Sequence, residues 1–172
     1  MDSVSDFLKN VSFCQDLNES ARSRLAALLL SKKISAGAVI FRELDDSDCL
    51  YIVQAGRIII SKHVQDDVDV VLTRFQSGDF FGEMGLFDTS PRSATAQTET
   101  DSILLRLDRK PFQQILFDDP EMAAPICYRL ITVFIERLRA TNDQAREAIR
   151  WGLEATGFSP VPDRAQFGRR ST

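Results

Sequence analysis

Between Ile34 and Leu107 the chain is a succession of short β-type runs of about six to eight residues, each closed off by turn-forming residues. The runs are Ala38 to Arg42, Cys49 to Gln54, Arg57 to Val64, Val68 to Phe75, Ser93 to Thr98 and Ser102 to Leu107. Gly37, Gly56, Gln65-Asp66-Asp67 and Ser77-Gly78-Asp79 punctuate them. This pattern predicts a roll or barrel of antiparallel strands and leaves the helices to the two ends of the chain.

At the N-terminal end, Ser3 or Ser5 can cap a short helix through Lys9. Asn18 and Glu19 start a second, with Leu25, Leu28 and Leu29 at helical spacing. After the last strand, Arg109 to Phe117 reads as a short helix, and Asp119 then caps a long one with Pro120 at its first position. Pro125 predicts a kink or a delayed start there. Along the long helix Ile131, Ile135, Leu138, Ala145 and Ile149 alternate spacings of four and three around Asn142, as the seam of a two-helix pair does. The other use of such a face is to pack on the roll. Beyond Thr156 the run GFSPVPDRAQFGRRST has two prolines and little periodicity, and is expected to be a flexible tail. The fold class is therefore α+β, mainly β: N-terminal helices over 3–30, a roll over 32–108 and C-terminal helices over 109–155. Together they make one domain at 1–157, with the tail at 158–172.

With 172 residues of which 44% are hydrophobic, the chain can bury one substantial core. Its net charge of -4 argues against a nucleic-acid-binding surface. Cys14, Cys49 and Cys127 are odd in number and lack CxxC spacing, which favours reduced thiols and a cytoplasmic setting. The N-terminus has no apolar signal region, and the longest apolar run, Leu25 to Leu30, is far too short to span a membrane. Asp45, Asp46 and Asp48 lack the glycine and distal glutamate of a calcium loop, and the one histidine, His63, makes a poor metal centre. Ser93 has no nucleophile-elbow context. No catalytic constellation and no metal site is expected, so the chain does not read as an enzyme.

Phe80 to Thr98, FFGEMGLFDTSPRSATAQT, is where ligand chemistry concentrates. A strand ending in Phe80-Phe81-Gly82 can turn into a single helical turn through Leu86. Ser90-Pro91 then sets Arg92 in an extended backbone, where its guanidinium can grip a phosphate. Ser93 adds a hydroxyl. Glu83 would oppose a bare phosphate, so a useful carboxylate there implies a ligand that also carries hydroxyls, such as a ribose.

These residues resemble the phosphate-binding cassette of the cyclic nucleotide-binding domains. In that cassette an apolar residue precedes G-E-x, then a small and an aliphatic residue, a loop, and an arginine followed by small residues. Phe81, Gly82, Glu83, Met84, Gly85, Leu86, Arg92, Ser93, Ala94, Ala96 and Thr98 all fit. The resemblance implies an eight-stranded antiparallel β-roll. It also implies that Glu83 takes the ribose 2′-hydroxyl, that Arg92 and Ser93 take the cyclic phosphate, and that the backbone around Gly82 and Ala94 closes on it. The ligand would be cAMP or cGMP, with no separate cofactor. IFRELDDSDCLYIVQAG is similar to the family's first half, with one departure: Leu44 and Ser47 stand where small turn residues are usual, so a remodelled turn is expected there. ERLRATNDQ is similar to the long helix of the catabolite-activator branch, which implies base contacts from Thr141 and Asn142 and a homodimer through that helix. The expected function is a regulatory sensor that acts through its C-terminal helix. The alternatives are a DNA-binding regulator lacking its recognition domain, since 16 or so tail residues cannot form a helix-turn-helix, and a ligand-free interaction module.

Overall fold

The computed structural model describes residues 3–65 and 68–157; the expected tail at 158–172 lies outside them. The chain divides into two compact units, residues 1–130 and 131–172.

In the first unit, Ser3 caps helix α1 (Val4–Phe7) by accepting from the Asp6 amide at 3.1 Å. Two 3-10 turns, Leu8–Asn10 and Ser12–Cys14, follow. Asn18 caps α2 (Glu19–Leu28) by accepting from the Ala21 amide at 2.9 Å. Strands β1 (Leu30–Ile34), β2 (Val39–Phe41), β3 (Cys49–Ala55), β4 (Arg57–Gln65), β5 (Val68–Gln76) and β6 (Phe80–Phe81) come next. The short helix α3 (Met84–Phe87) precedes β7 (Thr95–Thr98) and β8 (Ser102–Asp108), and α4 (Arg109–Asp118) closes the roll. The strands form two four-stranded antiparallel sheets, in the orders β1-β8-β3-β6 and β2-β7-β4-β5.

One of the eight strands has no run of its own in the sequence. Strand β1 is Leu-Ser-Lys-Lys-Ile, mostly exposed, and it is a strand because β8 pairs it from Leu30↔Arg106 to Ile34↔Ser102. The N-terminal helix therefore ends at Leu28 and the roll opens at Leu30, two residues earlier than the pattern suggested. Strand β6 is two residues long, held by Tyr51↔Phe81 and Ile52↔Phe80.

Side chains alternate along β3, and both of its faces are buried. Cys49, Tyr51 and Val53 join Ile58, Phe81, Ala96 and Leu104 inside the roll. There Tyr51 stacks on Phe81 at 5.4 Å between ring centroids, and Phe75 stacks on the same ring at 5.8 Å. Leu50 and Ile52 point the other way and are fully buried. On that side Phe13 of the N-terminal turn meets Phe80 edge to face at 4.9 Å, so the N-terminal segment covers the outer side of the first sheet. Each such side chain contributes about 1.5–3 kcal/mol on burial, which makes these contacts the main support of the roll.

Helix α5 runs from Pro120 to Ala155, so Pro125 lies inside it and does not delay its start. Asp119 caps it as expected, with Oδ1 accepting from the Met122 amide at 3.1 Å. In the second unit Ile131, Ile135, Leu138 and Ile149 are all exposed. Among the described residues no helix is long and apolar enough to cross a membrane.

Candidate functional site

Backbone geometry sets the cassette. Gly82 leaves β6 in the left-handed region at φ +73, and a Cβ there would stand 2.6 Å from Nη1 of Arg92. Glycine is thus required twice over, by its torsion and by the guanidinium beside it. Gly85, in α3, is needed for contact alone: a Cβ there would lie 2.5 Å from the Ser47 hydroxyl and 3.0 Å from the Cys49 carbonyl. The missing side chains let α3 lie flat against the start of β3.

Arg92 is the central side chain. It is only 5% exposed. Nη1 donates to the Cys49 and Gly82 carbonyls, each at 3.0 Å, and Nη2 donates to the Cys49 sulfur at 3.1 Å. The guanidinium carbon sits 4.2 Å from the centre of the Phe41 ring. Nε, also buried, has no hydrogen-bond partner. These partners are all uncharged, and a buried cation left with an orphan donor is costly until an anion meets it. Burial raises the Cys49 pKa despite the Tyr51 hydrogen bond and the Arg92 and Arg106 charges, so the group beside Arg92 is a neutral thiol. Burial, with Cys49 next to it, pushes the Tyr51 hydroxyl up to about 12.

The other cassette residues differ in burial. Glu83 and Ala94 are buried, at 6% and 8% exposure, while Ser93 is exposed on the strand side. Met84 is half exposed at 52%. Phe81 is turned into the aromatic interior.

The turn after β2 departs from expectation. Leu44 is not remodelled out of the left-handed region but adopts it, at φ 71 with its side chain 77% exposed. For a non-glycine residue this costs about 1–2 kcal/mol. The turn's hydrogen bonds hold it there: Leu44 N donates to Arg92 O at 2.9 Å, Arg92 N to Asp45 O at 2.8 Å, and Arg42 N to Asp45 Oδ2 at 2.7 Å. Two of these bonds tie the turn directly to the backbone of the cassette arginine. Ser47, the other departure, is buried at 7% against Gly85.

Residues 31–119, just over half of the chain, match the cyclic nucleotide-binding domain family. The chain belongs to that family. It is 29% identical over 161 residues to a CRP-like cAMP-activated global transcriptional regulator of Mycobacterium tuberculosis, covering 94% of this chain and 66% of that protein. It is 28% identical over 148 residues to a cAMP-dependent protein kinase regulatory subunit of Blastocladiella emersonii, covering 84% of this chain and 36% of that one. The chain thus spans less than two thirds of the length of these curated relatives. Among solved structures it is similar to the N-terminal domain of a transcriptional regulator from Streptomyces coelicolor A3(2), with a TM-score of 0.69 and 28% identity, covering 81% of this chain and 95% of that one.

One residue of the domain that sequence reading passed over is Arg109, at the start of α4. Its Nε donates to Gly85 O at 2.6 Å, its Nη2 donates to Asp88 O at 2.6 Å and to Ser47 O, and its backbone amide donates to Asp48 O at 2.8 Å. A cation in a first helical turn opposes the helix dipole, so its side chain is explained by the carbonyls it gathers rather than by its own helix. It fastens the end of α3 and the turn before β3 to α4. The only sequence signal was a cation where a helix start favours an acid.

Thr141 and Asn142 lie on α5 in the second unit and both are exposed; the Thr141 hydroxyl donates to Arg137 O at 2.9 Å. His63 pairs with Asp69 across the β4–β5 hairpin at 3.2 Å, and Asp48 pairs with Arg106 at 3.2 Å. Among the described residues no group of three or more His, Cys, Asp or Glu is placed to hold a metal ion.

Proposed function

We propose that this chain is a cytoplasmic regulatory module that binds a cyclic nucleotide, with cAMP as its ligand ahead of cGMP, and that it is not an enzyme. The observation that carries the reading is the buried Arg92 guanidinium with its unpartnered Nε, set against the backbone of Gly82. A cyclic phosphate is the anion that site favours: it exchanges neutral carbonyl and thiol partners for charge-assisted hydrogen bonds. Ser93 and the backbone at Gly82 and Ala94 complete the phosphate contacts. Glu83, one residue after Gly82, takes the ribose 2′-hydroxyl, and Phe81 and Met84 line the same turn. That one of the two relatives is cAMP-activated and the other cAMP-dependent favours the adenine ligand.

Output passes through α5. The exposed stripe Ile131, Ile135, Leu138 and Ile149 has the spacing of a two-helix seam, and it supports a homodimer in which Asn142 fixes the register. In that dimer Thr141 and Asn142 contact the base. A ligand shifts such a switch only by its differential affinity for the two arrangements. A second reading, a portion of a DNA-binding regulator, is favoured by the match to 66% of the mycobacterial protein's length.

Calorimetric titration with cAMP and cGMP tests the reading, with Arg92→Ala as the control. Micromolar or tighter binding is expected, weakened by the substitution by about 2 kcal/mol, roughly thirtyfold. No binding of either nucleotide at millimolar concentration would overturn it.

A further inference from the structure

Beside the cassette stands a charged pair that the family pattern does not use. Lys62 lies two residues along β4 from Ile60, which packs against the interior cluster. Its ammonium donates to the carbonyl of Ser93 at 3.4 Å and pairs with Glu43 at 3.2 Å. Ser93 is the residue next to Arg92. Glu43 belongs to the turn whose backbone is bonded to Arg92, and its own amide donates to the Thr95 hydroxyl at 3.0 Å. Segment 92–93 is therefore associated with two cations, the buried Arg92 itself and the half-exposed Lys62 at the Ser93 carbonyl.

The two members of the pair differ in how they are held. The Lys62 side chain is 48% exposed and its carbonyl contact is long, so a small rotation frees it. The Glu43 side chain is 23% exposed and sits on a turn fixed by several backbone bonds. An anion seated at Arg92 and Ser93 attracts Lys62 and repels Glu43. A lysine ammonium on a flexible stem suits such an exchange better than an arginine fork would.

We propose that Lys62 is a second cation serving the same anion as Arg92, and that Glu43 is its competitor. This rests on the reading of the cassette as a cyclic nucleotide site and adds to it a residue that sets affinity for the phosphate. The ammonium moves from the Glu43 carboxylate to a phosphate oxygen of the nucleotide, and no covalent step is involved.

The two substitutions have effects of opposite sign. Lys62→Met weakens cAMP binding roughly three- to fivefold, Lys62→Arg keeps most of it, and Glu43→Gln tightens it about twofold. Both effects shrink between 50 mM and 1 M salt, roughly as the screening length falls. Lys9→Gln, which removes the same charge from a lysine paired with Asp6 near the N-terminus, leaves affinity unchanged. Isothermal titration of the full chain with cAMP, alongside thermal melts of each variant, reads all of these. If Lys62→Met and Glu43→Gln weaken binding alike, the pair is only a strap between β4 and the turn and the proposal is wrong, while the cassette reading stands. If the unsubstituted chain binds no cyclic nucleotide, and Arg92→Ala changes nothing, both readings fall.

Discussion

Replacing Gly82 by alanine separates two physical demands on one residue. At φ +73 an alanine is held in the left-handed region, at a cost of about 1–2 kcal/mol. Its Cβ would also stand 2.6 Å from Nη1 of Arg92, so the guanidinium has to swing away from the Gly82 and Cys49 carbonyls. Losing hydrogen bonds from a buried charged group adds about 1.5–3 kcal/mol. The total, about 2.5–5 kcal/mol, is a large share of the 5–15 kcal/mol typical of a whole domain. Gly37 supplies the control, with φ +77 and no atom within 4 Å of an added Cβ. Gly37→Ala therefore carries the torsional cost alone. Urea unfolding followed by circular dichroism should show Gly82→Ala less stable than Gly37→Ala by about 1.5–3 kcal/mol. In thermal melts Gly82→Ala should fall roughly 5–20 °C below the unsubstituted protein. Equal losses in the two variants would mean that the guanidinium accommodates the methyl freely, and the account of Arg92 as a tightly held buried cation would be refuted.

Three further expectations follow from the ionisable groups and the α4 clamp. The Met122 amide and then Arg24 hold the Asp119 carboxyl below the usual range, so its stabilising contribution is present above about pH 4 and is lost as pH falls through the depressed value. Asp119→Asn, which keeps the cap, should flatten the acid limb of the stability profile. Tyr51 stays protonated to about 12 in the folded protein but ionises near 10 when unfolded, so stability falls between those values as pH rises. Tyr51→Phe should remove that slope in denaturant titrations at alkaline pH. Arg109→Gln should cost roughly 1.5–3 kcal/mol, because glutamine cannot span the Gly85, Asp88 and Ser47 carbonyls together. Arg109→Lys should recover only part of this, since an ammonium lacks the planar fork, and urea midpoints would show it.

Elements whose information is local could be read directly from the order of residues. Caps at Ser3, Asn18 and Asp119 need only one side chain and the next three amides, and all three form as read. The long strands β3, β4 and β5 declared themselves by composition and by their turns, and the cassette did so through residues whose roles are fixed by their own backbone, Gly82 above all. What depends on distant partners was not legible. Strand β1 is a polar run that becomes a strand because β8 offers it a ladder. Leu44 shows the limit from the other side: local sterics argue against a left-handed leucine, yet bonds to Arg92, 48 positions along the chain, keep it there. The same is true of the site. That Arg92 matters could be read from its neighbours in sequence. Its burial over Phe41 and against Cys49, the Arg109 clamp and the Lys62–Glu43 pair all join residues far apart in sequence, and only the folded chain brings them together.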